Sequence, residues 1–446
     1  MRKVYLKHRA VLPACIVTLM ACSASASPQI NTAVKKQYDE SLSDLFIHFH
    51  SNPELSFVEN KTAARIAKEL RSAGYEVTEG VGKTGVVALL KNGKGPTVMM
   101  RADMDALPVK ELTGLPYASS VIQENSEGQR FPVMHACGHD VHITSLVGTA
   151  RLMSSMRKRW SGTLMLIAQP AEEWKISGAK TMREDGIWKR FGQPDYALAF
   201  HVTADIEAGK IFAAREAAYS AVDSVDVVVP GIGAHGASPH RGKDPVVTAS
   251  HIVMGLQTLV ARELSPREPG VVTVGVFKAG NKRNVIGEEA RLELTVRSDS
   301  TETRKKLLDG IERIAVNVGR AAGLPDDRLP TVELKGSLPV TKNEPTIVER
   351  LYRAWGDSLG QEVFADYDRQ GMGGEDFPFF TNDPYIPSVY FQVGGTKREW
   401  FEAAENGGPA VASHHSPLFK IAPEPSVRSG VAATVVALME LLDERR

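Results

Sequence analysis

The stretch from Met134 to Thr144, M-H-A-C-G-H-D-V-H-I-T, places three histidines, an aspartate and a cysteine within eleven residues. Cys137 and His139 stand two apart, and Gly138 between them permits a tight turn. A thiolate and an imidazole at that spacing suit a borderline metal such as zinc. His135 and His142 are weaker candidates, because a lone histidine is more often a packed or hydrogen-bonded side chain; with Asp140 they read as support. Upstream, R-A-D-M-D-A-L-P sets Asp103 and Asp105 two apart, which in an extended chain turns both carboxylates to one side. Downstream, I-A-Q-P-A-E-E-W ends a strongly apolar run in Glu172 and Glu173. Adjacent side chains diverge, so one carboxylate can bind a metal while the other faces an activated water as general base. Two acids at the end of a buried strand would be costly without partners, which argues against plain surface charge.

Further stretches extend the set. L-A-F-H-V supplies His201 at a strand end, and S-H-H-S-P-L-F supplies His414 and His415 ahead of Pro417, one of the two being the expected ligand. G-I-G-A-H-G-A-S-P-H surrounds His235 with small residues, which suits a loop that approaches a ligand closely. Arg297, closing R-L-E-L-T-V-R, has the planar fork to dock a substrate carboxylate. In G-M-G-G-E-D-F-P-F-F, Glu375 and Asp376 read as helix-start carboxylates. Trp174, Trp400 and Phe401 read first as core or surface aromatics and second as pocket walls.

Strands and turns must hold these side chains. V-V-A-L-L, P-T-V-M-M-R-A-D-M-D, T-L-M-L-I-A-Q-P and the segment Tyr196 to His201 read as strands. Val34 to His50, Lys61 to Ala73 and His142 to Met153 carry helical apolar spacing, the second ending at Gly74 as a C-cap. The alternation indicates an α/β layered domain, a sheet flanked by helices, in which chemistry collects at strand ends. From about Ala221 the texture changes: S-V-D-V-V-V-P and R-L-E-L-T-V-R alternate polar and apolar, with V-V-T-V-G-V-F between them and helices at Pro245 to Arg262 and Glu302 to Ala322. That pattern suggests a small α+β sheet with one solvated face. The α/β texture returns near Lys335, so the expected division is a catalytic domain in two parts, 34–218 and 335–446, interrupted by an insertion at 219–334.

A chain of 446 residues is long enough for two such domains. Lys+Arg and Asp+Glu are equal at 53 each, so no basic surplus draws it to nucleic acid or an anionic membrane. The N-terminus runs from M-R-K-V-Y-L-K-H-R through V-L-P-A-C-I-V-T-L-M-A to A-C-S-A-S-A-S, the pattern of an export signal over 1–26 cut after Ala24-Ser25-Ala26. Its apolar stretch is too short to cross a bilayer core needing ~20 residues. Leu19 to Cys22 also resembles a lipoprotein cleavage box, which would anchor lipid at Cys22. Either route gives a periplasmic or secreted protein and leaves Cys137 as its single thiol. An unpaired exported thiol calls for burial or a bound metal.

Taken in order, R-A-D-M-D-A-L-P, H-A-C-G-H-D-V-H, Q-P-A-E-E, H-G-A-S-P-H, N-V-I, G-E-D-F and H-S-P resemble the aminoacylase and carboxypeptidase-like zinc amidohydrolases. The branch is that of hippurate hydrolases and auxin-amino-acid conjugate hydrolases, and the similarity runs from about Tyr38 to the C-terminus. The resemblance implies a two-metal catalytic domain with a mixed sheet, interrupted by a smaller lid or dimerisation domain through which copies associate. It also implies hydrolysis of the amide bond of N-acyl amino acids or short peptides. Carried over residue by residue, it implies Cys137, His139, Glu173, His201 and His415 as ligands of two divalent ions, zinc first, with manganese, cobalt or nickel as alternatives. It further implies Glu172 as general base, Asp105 orienting a ligand, and Asp103 where other branches carry a metal-binding histidine. His235 and Asn284 would be lid groups stabilising the oxyanion, in this site or a neighbouring subunit's, and Arg297 would hold the substrate carboxylate. W-K-I-S-G-A after the paired glutamates and the long run before His414 depart from the pattern, and bear on substrate rather than chemistry. Two rivals stand beside this reading. A hydrolase using Cys137 as nucleophile needs no paired glutamates, and an exported metal- or peptide-binding protein without turnover has no use for a carboxylate at Glu172.

Overall fold

The computed structural model describes residues 27–174 and 177–443. The expected export signal, with Cys15 and Cys22, lies outside the described residues. Among the described residues the largest sheet has seven strands, in the spatial order Glu76–Val81, Gly85–Asn92, Gly162–Gln169, Thr97–Asp103, Tyr196–Glu207, Ser388–Thr396 and Ile211–Phe212. The four strands from Gly162–Gln169 to Ser388–Thr396 run parallel, and the outer ones pair antiparallel. Apolar runs such as L-M-L-I-A are buried throughout, as a parallel strand covered on both faces requires.

Alternation along each strand sorts the side chains. Val98, Met100 and Ala102 face the core built with the helices Asn60–Ser72, His139–Ser155, Pro345–Leu359 and Pro423–Leu441. Met99 faces the opposite core, with the short helices Gly178–Glu184 and Pro378–Thr381. Arg101 shares that second parity, and this directs a buried cation toward the segment before Pro378. Tyr196–Glu207 runs on well past the expected end at His201.

A second sheet of four antiparallel strands, Gly270–Ala279, Glu289–Ser298, Ala221–Pro230 and Thr331–Leu338, packs the helices Pro245–Thr258 and Thr301–Ala321 on one face. Val225, Val227 and Val229 point in while their neighbours point out, the alternation of a sheet solvated on one side. The molecule is thus an α/β layered domain interrupted by a smaller α+β unit. The chain enters that unit through Ala217–Tyr219 and leaves through Thr341–Lys342, and these two segments pair with each other. No helix among the described residues is long and apolar enough to cross a membrane.

One buried ion cluster fixes the first helices against the core. His50, at the end of Ser43–Ser51, places Nδ1 2.7 Å from Asp140 Oδ2 and Nε2 3.2 Å from Glu111 Oε1. Burial alone would push its pKa down, but the hydrogen bonds and charges of Asp140 and Glu111 outweigh it and raise it to about 9. A folded pKa above the ordinary 6.5 gives stability that is complete below pH 6.5 and drains as pH rises through 9. The unfolding free energy is therefore expected to fall between pH 7 and 10 by about 1–3 kcal/mol more in the wild type than in His50→Gln. Parallel curves from urea unfolding across that range would refute the coupling.

Candidate metal centre

The parallel strands end at one edge of the sheet, and the expected site residues gather there. Asp103 closes Thr97–Asp103, Glu172 and Glu173 follow Gly162–Gln169 after a turn, and His201 lies in Tyr196–Glu207. Cys137 and His139 enter from the N-terminus of His139–Ser155 around Gly138, whose φ is 84°. A Cβ at Gly138 would lie 2.4 Å from Val202 Cγ1, so the turn requires glycine. Ala171, with φ 50°, holds a left-handed conformation just before Glu172. Buried Glu59 secures it, accepting from Ala171 N at 2.9 Å and Thr84 Oγ1 at 2.6 Å. Burial, with the Asp105 charge adding, pushes Glu59 up to about 8.

Hydrogen bonding settles which nitrogens are free. His139 donates Nδ1–H to the Asp105 carbonyl at 2.9 Å, and its buried Nε2, 3.6 Å from Asp103 Oδ2, has no hydrogen-bond partner among the described residues. His201 donates Nδ1–H to the Val202 carbonyl at 2.6 Å and turns Nε2 to within 3.4 Å of Cys137 Sγ. His415 Nε2 lies 3.1 Å from Glu173 Oε1, a buried oxygen without a hydrogen-bond donor. By contrast, His142 Nε2 accepts from Val202 N at 2.8 Å, so its proton sits on Nδ1 and goes to Asp103 at 2.5 Å. His414 Nε2 accepts from Ala204 N at 3.2 Å, so it presents Nδ1–H to Cys137 Sγ at 3.7 Å. A neutral imidazole has one lone pair, and in these two it is spent. Of the adjacent pair, His415 is the one able to bind an ion.

The donors fit two ions. Cys137, His139 and His201 offer ligand atoms within 4.8 Å of one another, and so do Cys137, Glu173 and His415. The two groups share the cysteine sulfur. Asp103 and Asp105 draw His139 up to about 10 against its burial, so a cation at Nε2 takes the place of a proton. Burial, then Glu173 and Glu172, pushes the Cys137 thiol well up. Burial, then Glu375 and Glu173, likewise raises Glu172. Groups crowded this way hold protons until metal displaces them. Asp105 fixes the frame: its carboxylate accepts from Glu172 N at 3.1 Å, Glu173 N at 3.0 Å and Ser56 Oγ at 2.6 Å.

Beneath the centre lies a group that the sequence reading passed over. Arg101 is fully buried and donates through Nη1 to Asp103 at 2.7 Å, and through Nη2 to Glu375 at 2.8 Å and Asp376 at 3.0 Å. Tyr390 Oη donates to Glu375 at 2.6 Å. Glu375 does accept the backbone N–H groups ahead of Pro378–Thr381, as a helix-start carboxylate would, but it and Asp376 chiefly hold this cation. A lone arginine inside V-M-M-R-A-D was the available signal.

A cavity of about 410 Å³ opens over the centre, and Arg297 lines it together with Tyr219, Tyr367 and Arg369. The half-buried Arg297 guanidinium bonds Thr295 Oγ1 at 3.1 Å and has no carboxylate partner among the described residues. His235 and Asn284 do not line this cavity, so the structure does not bring these two expected oxyanion groups to the centre of their own chain. Both are exposed on the insertion, where His235 Nδ1 accepts from Ala237 N at 3.0 Å. The small residues around His235 allow a close backbone approach: Gly236 N donates to Asn284 O at 2.8 Å, and a Cβ at Gly236 would lie 3.0 Å from the Asn284 backbone. A second cavity of about 340 Å³, walled by Leu55, Leu107, Pro108, Phe131 and Trp174, meets the first at Glu173. Trp400 and Phe401 line neither; Lys420 Nζ sits 4.7 Å over the Trp400 ring.

Residues 99–412 match the profile of peptidase family M20/M25/M40. The hippurate hydrolase of Campylobacter jejuni is 38% identical over 332 residues, which cover 74% of this chain and 82% of that one. The IAA-amino acid hydrolase ILR1-like 2 of Arabidopsis thaliana is 36% identical over 378 residues, 83% of this chain and 79% of that one. Among solved structures, the Bacillus subtilis YXEP protein, described as a dinuclear metal binding peptidase from the M20 family, superposes with a TM-score of 0.73. It is 28% identical, and the match covers 92% of this chain and 100% of that one.

Proposed function

Because the chain belongs to peptidase family M20/M25/M40, hydrolases of amide and peptide bonds, we propose that it cleaves N-acyl amino acids or short peptides at a two-ion centre with Glu172 as general base. The observation that carries this reading is the set formed by the free lone pairs on His139 and His201 and the His415–Glu173 pair around one shared cysteine, with Glu172 left over beside them. Bound divalent ions, zinc by the sulfur and nitrogen donors, or manganese, cobalt or nickel, would polarise the scissile carbonyl and acidify a water. Glu172 takes a proton from the attacking water and returns it to the departing nitrogen. A carboxyl whose pKa is held high by burial and by Glu375 suits the return step. Asp105 keeps the His139 ring and the Glu172–Glu173 backbone in place. Arg297 holds the substrate carboxylate, and the apolar cavity beside Trp174 takes the acyl group.

The insertion supports pairing of two copies. Pro245–Thr258 exposes Val246, Val247 and Met254, and Gly270–Ala279 is an open sheet edge. His235 and Asn284 then serve the partner's centre. Export through residues 1–26 places the mature chain in the periplasm or outside the cell, with lipid at Cys22 as the alternative end point. The cysteine-nucleophile rival loses ground because burial and two glutamates raise the Cys137 thiol, the reverse of activation.

Screening the metal-loaded protein against benzoylglycine, indole-3-acetyl amino acids, acetyl amino acids and dipeptides tests the reading. The highest kcat/KM is expected for apolar acyl groups, with turnover lost to a chelator and restored by added metal. Turnover that survives complete metal removal would favour the thiol. Silence across the panel would leave a binding protein.

A further inference from the structure

We infer that the Tyr219 hydroxyl donates a hydrogen bond to the scissile carbonyl oxygen as negative charge develops on it, an oxyanion donor supplied from within the chain. The inference rests on the amide-hydrolase reading above. Tyr219 lines the metal cavity with Cys137, Glu172 and His201. Its ring centroid lies 5.2 Å from that of Tyr390 at an interplanar angle of 73°, and 6.2 Å from that of His201. The backbone is held on two sides: Tyr219 pairs with Thr341, and Ser220 N donates to Gly373 O at 2.8 Å. A Cβ at Gly373 would come 3.7 Å from the ring, so Gly373 lies close beside Tyr219.

The donor inventory singles this group out. Arg101 is spent on three carboxylates, His142 on Asp103, the Tyr390 hydroxyl on Glu375, and the His414 N–H faces Cys137. The Tyr219 hydroxyl has no hydrogen-bond partner among the described residues. Tyr367 also lines the cavity with an uncommitted hydroxyl, but the charges nearest it are Asp205 and Arg369. Tyr219 shares the cavity wall with Glu375, Cys137 and Glu172, and its ring lies beside that of His201. A phenol, whose ordinary value is about 10, carries its proton at neutral pH and can donate it in a hydrogen bond. His235, the donor expected from sequence, is absent from this wall.

Tyr219→Phe keeps the ring and removes the hydroxyl alone. In the metal-loaded protein kcat is expected to fall on the order of 10²-fold with KM little changed, the usual cost of one oxyanion donor. Calorimetry should show a similar loss of affinity for the phosphinic analogue of benzoylglycine, in which PO₂⁻–CH₂ replaces CO–NH. Metal content and affinity for benzoate should stay at wild-type values. Unchanged kcat with unchanged analogue affinity in an active wild-type background overturns this assignment alone. A rise in KM with kcat kept also overturns it, making Tyr219 a ground-state contact. A wild type that cleaves no amide of the panel removes the hydrolase reading and this assignment together.

Discussion

Glu172→Gln is expected to lower kcat by on the order of 10³-fold while the protein still binds two ions, the loss being that of a general base. The substitution keeps size and hydrogen-bonding capacity and removes basicity. Five other side chains supply donors for the ions, so metal content measured by atomic spectrometry should hold. A second signature accompanies the first. Glu172 stands among Glu375, Glu173 and Asp376, which hold it neutral without metal, and a neutral amide there adds no charge, so the metal-free variant should unfold no lower than the metal-free wild type. Wild-type turnover with both ions bound would remove Glu172 from the mechanism.

Arg101→Met should be among the most destabilising single changes in the molecule. It leaves Asp103, Glu375 and Asp376 buried without their cation, and breaking a buried ion cluster from one side costs about 3–5 kcal/mol. The sign of its pH dependence follows from the carboxylates. Burial raises Asp376 to about 7 even with Arg101 pulling it down. Without the guanidinium Asp376 accepts its proton at higher pH still, so the penalty should be smaller at pH 5.5 than at pH 8. Urea unfolding at both values checks this, and Glu375→Gln added to Arg101→Met should recover part of the loss. A deficit under about 1 kcal/mol at pH 8 would show that the three carboxylates do not depend on Arg101 for their burial.

The sequence made the ligand candidates visible because thiol, imidazole and carboxylate at the ends of apolar strands are conspicuous by type. Choosing His415 over His414 depended on resemblance at that level. The physical reason, the Ala204 N–H that occupies His414 Nε2, joins residues 210 positions apart and cannot be read along the chain. Arg101 escaped notice for the same cause, since the carboxylates of Glu375 and Asp376 lie 274 and 275 positions away. The α/β texture and the inserted unit were legible from the switch in apolar spacing. Ser388–Thr396, the sixth of the seven strands across the large sheet, was not named as a strand from the sequence. A Cβ at Gly394 would lie 1.9 Å from Glu207 O, so glycine there marks a close crossing of two chains. The small residues around His235 permit close approach, and the sequence does not say whether to a ligand or to backbone; within its own chain the loop approaches the Asn284 backbone.

The ribbon formed by Ala217–Tyr219 and Thr341–Lys342 makes the insertion a cassette. Both of its ends meet the layered domain at one place, while every candidate ion donor and Glu172 lie outside it and Arg297 lies inside. The group proposed to hold the substrate carboxylate is thereby carried on a part of the chain separable from the proposed hydrolytic centre, while the proposed acyl cavity stays with the layered domain. A lineage can exchange, enlarge or reshape the first without disturbing the second. Tyr219 is the exception, standing on the seam, where any refit of the cassette must pass beside the reacting carbonyl.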